Sequence, residues 1–196
     1  MAFIRHRNDT RLSGTSVATF QSWNSADRWA WWRVSSNDRQ SNRKNHVVVE
    51  ANPQILSLLT ENRDRNGCEF EIVHGAVGEQ GRSISIHLHE NALLFSAITT
   101  AEKKVEVPGV TLEDILRARS FDRCALICDI EGAEVNLIRD ELPTLRSRVE
   151  TCIVEFHPWI NGQDLVDKSL RLLQDHGFEV QRRHIATFAF KNKALA

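Results

Sequence analysis

Three short apolar runs, each ending on or close to a carboxylate, constrain this chain more than any other feature. Val47-Val48-Val49 closes on Glu50, Cys124 to Cys128 closes on Asp129, and Cys152 to Phe156 carries Glu155 near its end. Runs this short, the first two without polar interruption and the third broken only at Glu155, suit strands buried on both faces of a parallel sheet. A carboxylate at such a strand end sits where open α/β sheets bind ligands, although strand ends are also acidic simply because they have reached solvent.

Helix and turn signals separate the runs. Asn52 can cap a helix with Pro53 in its first position, and Ile55, Leu56, Leu58 and Leu59 give that helix an apolar face before Asn66-Gly67 stops it. Phe70, Ile72 and Val73 read as a second strand, Ser83 to Leu88 alternates like a half-exposed one, and Lys103 to Val107 is extended. Thr111-Leu-Glu-Asp114 resembles a capping box opening a helix to about Arg119. Glu134 to Asp140 is expected to be helical, and Leu165 to His176 has helical spacing with Gly177 as its stop. Phe178 to Val180 and Thr187 to Phe190 can close the sheet. Strands alternating with helices predict an α/β fold, an open sheet with helices on both faces.

The chain has 196 residues, enough for one full core, and its 41% hydrophobic and 26% charged content is that of a globular protein. A net charge of -1 offers no basic field for a nucleic-acid backbone, so nucleic acid is not the expected partner. No run reaches the length of a membrane span and no signal-peptide stretch opens the sequence. Cys68, Cys124, Cys128 and Cys152 lack a disulfide or CxxC spacing and read as buried free thiols, which makes the cytoplasm the expected location. His87 and His89 share one side of a strand without a second ligand pair, so no metal is expected. His157, just past a strand end, is a candidate proton acceptor.

The chain changes character near residue 45: residues 1–45 hold four of the five tryptophans, no glutamate and a single glycine, Gly14. We therefore divide it into an atypical segment, 1–45, and a domain, 46–196. The Trp29-Ala-Trp-Trp32 cluster of the first part could meet a partner, though such clusters usually pack on their own domain.

Five segments stand in one order: Val-Val-Val-Glu-Ala-Asn-Pro-Gln (47–54), Gly-Ala-Val-Gly (75–78), Val-Pro-Gly-Val-Thr-Leu-Glu-Asp-Ile-Leu (107–116), Cys-Asp-Ile-Glu-Gly-Ala-Glu (128–134) and Val-Glu-Phe-His-Pro (154–158). From about His46 onward this set resembles the S-adenosylmethionine-dependent methyltransferases of the FkbM type. The resemblance implies a Rossmann-like class I methyltransferase sheet with S-adenosylmethionine as cofactor. It further implies O-methylation of a small or carbohydrate-like hydroxyl acceptor. Glu50, with Asn52 beside it, would hold the cofactor, the Glu50 carboxylate accepting both ribose hydroxyls. Gly75, Ala76 and Val77 would border the adenine. Asp129 and Glu131 would line the methyl-donor end, where negative charge favours a sulfonium, and Gly132 would let the backbone turn beside them. Asp129 would position the donor, and His157 or Glu155 would take the acceptor's proton. A homo-oligomer is compatible with this reading.

The first strand of that family leads into a glycine-rich turn, and here strand and loop are missing or divergent. Ser13-Gly-Thr-Ser-Val17 is the one candidate remnant. The family's first strand lies between those assigned to Val47–Glu50 and Cys124–Asp129, so its absence leaves a one-strand gap, strands being spaced about 4.8 Å apart. Ser16 to Phe20 or Trp31 to Ser35 is expected to fill it; otherwise two apolar edges stay exposed. Two other classes compete: a cofactor-deficient methyltransferase-like fragment or binding protein, and a nicotinamide-dependent oxidoreductase, which lacks its Gly-x-Gly-x-x-Gly turn here.

Overall fold

A computed structural model describes residues 2–6, 46–88, 95–96 and 103–195. Its strands are β1 (Ala2–His6), β2 (His46–Glu50), β3 (Glu71–His74), β4 (Ala76–Val77), β5 (Ser83–Leu88), β6 (Phe95–Ser96), β7 (Lys103–Val110), β8 (Cys124–Cys128), β9 (Val149–Glu155), β10 (Phe178–His184) and β11 (Thr187–Asn192). The helices among the described residues are α1 (Leu56–Arg65), α2 (Leu112–Ala118), α3 (Glu134–Asp140), α4 (Leu142–Arg148), α5 (Pro158–Asn161) and α6 (Gln163–Asp175), with a final 3-10 turn at Lys193–Leu195.

Seven strands form the main sheet in the order β3-β2-β1-β8-β9-β11-β10. β2 runs parallel to β3 and β8 parallel to β9, whereas β11 is antiparallel to both β9 and β10. The gap between β2 and β8 is filled, but by neither expected segment. Ala2–His6 occupies it, antiparallel to both neighbours, with Ile4 opposite Val47 on one side and Leu126 on the other. Ser16 to Phe20, Trp31 to Ser35 and the Trp29–Trp32 cluster lie outside the described residues, as does His89. Because β2 is apolar from Val47 to Val49 and β8 along its whole length, any extended segment that supplies a hydrogen-bonding partner to both relieves two costly edges at once.

The direction of β1 has a consequence at the ligand edge. Glu50 ends β2 and Asp129 follows β8 on one edge of the sheet, and there β1 contributes its Ala2 end, opposite Val49 and Cys128. Its His6 end, opposite Cys124, faces the other edge.

The apolar runs bury as their composition demands. Val47, Val48 and Val49 are 1–3% exposed, and Leu116, Cys124, Leu145, Val149, Phe156 and Leu173 join Val47 and Val49 in one continuous core. Ile86, Leu88, Val107 and Ala76 form a second, smaller cluster under the sheet β4-β7-β5-β6. β4 ties the two together, since Val77 packs against the main core and Ala76 sits in the smaller one.

Local signals place the helix ends. Thr111 caps α2, accepting from Asp114 N at 3.1 Å, and the buried Glu141 carboxylate accepts from the Leu112 and Glu113 amides at the same end. Those donors have no partner within the helix, which is why a nearly buried carboxylate is tolerated there. Arg119 grips Glu71 on β3 through two guanidinium nitrogens. Asn66 and Gly67 end α1, and Gly177, at φ +92°, follows α6.

Three expectations need correction. The helix after β2 starts at Leu56 with Ile55 at its cap position, and Asn52 instead closes the preceding turn, its Oδ1 accepting from Gln54 N at 2.9 Å. Only Leu59 of that helix is fully buried and Leu58 is exposed, so its apolar face is narrower than the pattern suggested. Cys124, Cys128 and Cys152 are buried thiols whose pKa burial raises, that of Cys124 to about 12, but Cys68 is only half-buried.

Candidate active site

The carboxyl ends of β2 and β8 carry the acidic groups singled out above. Glu50 is 1% exposed, and its Oε1 accepts the Asn52 amide at 2.7 Å. Burial raises its pKa against the stabilising hydrogen bonds from the Asn52 and Ala51 amides. A buried carboxylate with so few partners retains acceptor capacity for hydroxyl donors. Asn52, also fully buried, serves as the clamp on Glu50.

Gly75 donates its N–H to the Glu50 carbonyl at 3.0 Å. A Cβ at this position would lie 2.9 Å from both the Pro108 carbonyl and Val110 Cγ1, so β7 leaves no room for a side chain. Ala76 and Val77 pair in parallel with Gly109 and Val110 of that same strand. The three residues thus form the joint between the two sheets immediately beside Glu50.

The turn after β8 is a denser construction. Glu131 adopts φ +50° and Gly132 φ +100°, two consecutive left-handed residues that reverse the chain before α3. Glu134, in the first turn of α3, is 0% exposed and folds back on this turn. Its Oε1 accepts from Ile130 N at 2.9 Å and from Gly132 N at 3.2 Å, and its Oε2 accepts from Gly132 N at 3.0 Å. Asn161 of α5 donates to the Gly132 carbonyl at 2.9 Å, fixing the same turn from the other side.

His157, between β9 and α5, completes the group. It is 2% exposed, with Nδ1 2.9 Å from Glu134 Oε1 and Nε2 3.4 Å from Glu131 Oε2 and 3.6 Å from Asp129 Oδ1. Burial opposes protonation of the ring, but the Glu134 hydrogen bond and the negative charges of Glu134, Glu131 and Asp129 outweigh it, so its pKa is raised. The exposed Trp159 ring stands edge-on to His157, with centroids 5.0 Å apart. Asp129, Glu131 and His157 therefore converge as the sequence implied. Glu155 holds the last position of β9, opposite Thr187 of β11, and the cluster is built on His157.

Sequence reasoning missed Glu134. Its signal was present as the second glutamate of Asp-Ile-Glu-Gly-Ala-Glu, two residues after a glycine and at the start of a helix, where a carboxylate can reach back to free amides. Asp129, Glu134 and His157 bring ligand-type atoms within 4.8 Å of one another. Both Glu134 oxygens already accept backbone N–H groups, so the arrangement is a hydrogen-bonded cluster and we assign no metal to it.

A buried acceptor on β2 and a cluster of carboxylates past β8 thus stand on one edge of the sheet. No curated protein and no solved structure matches the chain. The family model described as the methyltransferase FkbM domain matches residues 25–180, most of the sequence. The chain belongs to the FkbM methyltransferase family.

Proposed function

We propose that this protein is an S-adenosylmethionine-dependent O-methyltransferase acting on a small or carbohydrate-like hydroxyl, with a Rossmann-like class I sheet carrying helices on both faces. The observation that carries the reading is the convergence, past β8, of Asp129, Glu131 and a buried, oriented His157 on the same sheet edge as Glu50. Glu50 would hold the ribose and Asn52 would hold Glu50. Gly75, Ala76 and Val77 would border the adenine, while Asp129, Glu131 and Gly132 would line the donor end.

When bound, the cofactor supplies a methyl carbon already activated by a positive sulfur. What remains for the chain is alignment and removal of one proton. Asp129 and Glu131 provide negative charge beside the donor end and orient the acceptor. His157 Nε2, on the side of the ring that meets these two partly exposed carboxylates, is placed to take the hydroxyl proton. Glu155 is the alternative base. A general base of this kind contributes roughly 10²- to 10⁴-fold.

One observation favours a second reading, a cofactor-deficient binding protein. β1 runs antiparallel to β2 and β8, so the strand between them presents its Ala2 end, not its carboxyl end, at the ligand edge. Transfer of an isotopically labelled methyl group to a panel of hydroxyl compounds separates the two. The enzyme reading expects a labelled product, and at least about a tenfold loss in Asp129→Asn through poorer alignment of donor and acceptor. Label transfer at the same rate by a folded Asp129→Asn protein would remove Asp129 from the mechanism.

A further inference from the structure

The two nitrogens of His157 meet different surroundings. Nδ1 faces Glu134, a carboxylate with no solvent exposure, whereas Nε2 faces Asp129 and Glu131, which are 46% and 25% exposed. Glu134 Oε1 accepts amide hydrogens from both Ile130 and Gly132, so the oxygen that meets His157 does so as an acceptor. Its 2.9 Å contact with His157 therefore requires the hydrogen to be on Nδ1.

We propose that Glu134 is a positioning residue: it locks neutral His157 in the Nδ1–H tautomer and so keeps the Nε2 lone pair on the side of Asp129 and Glu131. The same side chain holds the turn that bears Asp129 and Glu131, through Ile130 N and Gly132 N, so base and acidic groups are set in register by one carboxylate. In the reaction the acceptor's O–H proton would pass to Nε2, and the electron pair the oxygen keeps would bond the donor's methyl carbon as that carbon's bond to sulfur breaks, its electron pair leaving on the sulfur. The ring then carries hydrogens on both nitrogens, and the Nδ1 hydrogen stays where it is. Glu134 stabilises the imidazolium without taking its proton. This role rests on the methyltransferase reading of the cluster, but its test does not.

The groups facing the ring are Glu134 from α3, Glu131 and Asp129 from the turn after β8, and Trp159 from its own side. Long-range proton–nitrogen correlation spectra of the nitrogen-15-labelled full chain, without added ligand, report the tautomer directly. His157 is assigned by its absence from the His157→Gln spectrum. Above the titration of the ring, the wild type should show a protonated-type Nδ1 and a bare Nε2. In Glu134→Gln, which keeps an oxygen for the N–H donors but removes the charge, the titration midpoint of His157 should shift down. A purely structural role for Glu134 has no reason to fix the tautomer. An Nε2–H tautomer in the wild type overturns the proposal whether or not the variant folds, as does an unmoved midpoint in a folded Glu134→Gln protein. Calorimetry with S-adenosylmethionine on the same wild-type sample decides the enzyme reading separately.

Discussion

Glu50 is a charge-bearing group taken almost wholly out of water and held by the Asn52 amide at 2.7 Å and the Ala51 amide, an arrangement that costs stability unless a ligand uses its remaining acceptor capacity. Glu50→Ala should weaken S-adenosylmethionine binding by about 1.5 to 3 kcal/mol, the range for hydrogen bonds to a charged partner. Calorimetry on a variant with a native circular dichroism spectrum checks this, and unchanged affinity would remove Glu50 from the site. His157 gives a pH signature. Its folded pKa is raised, so its stabilising contribution is fully present below the unfolded value of 6.5 and is lost as pH rises through the folded one. The stability gap between wild type and His157→Gln in urea unfolding should therefore shrink as pH rises through that window; a gap that widens would contradict the assignment. Glu50, Asp129 and His157 were legible because strand-end residues are placed by the strands themselves. Glu134 was not, because a glutamate in the first turn of a helix usually faces solvent, and only the folded turn after β8 turns it inward.

At the scale of elements, caps and stops were readable where a side chain or glycine acts on its own neighbours, as at Thr111, Gly67 and Gly177. The exception is Asn52, where Glu50 claims the Asn52 amide and delays the helix by a turn. Glycines whose reason lies in a distant strand were not readable. A Cβ at Gly109 would lie 2.3 Å from the Glu79 carbonyl, which is backbone and cannot step aside, whereas at Gly67 it would meet nothing and face only the cost of φ +58°. Gly109→Ala should thus cost about 1 to 3 kcal/mol or more through overpacking, and Gly67→Ala about 1 to 2. Chemical denaturation of the pair measures it. A Gly109→Ala cost below about 1 kcal/mol would mean that β7 does not pack this closely on the 79–82 turn.

Over the whole molecule, alternation of strand and helix signals gave the α/β class, because buried parallel strands have a composition of their own. It could not reveal which segment lies between β2 and β8. That pairing is long-range, and Ala2–His6 carries no pattern to distinguish it from other short apolar stretches in the first 45 residues. As β1 is bonded on both sides, Ile4→Pro should lower stability by about 3 kcal/mol or more. Unaltered unfolding of that variant would show that the sheet does not depend on this strand. The account as a whole turns on whether a sheet whose central strand runs backwards still presents a cofactor site at the ends of β2 and β8. Calorimetric titration of the purified chain with S-adenosylmethionine, and separately with S-adenosylhomocysteine, tests this most directly. We expect saturable one-to-one binding of both; a folded protein that binds neither would contradict the enzyme reading and leave the binding-protein alternative.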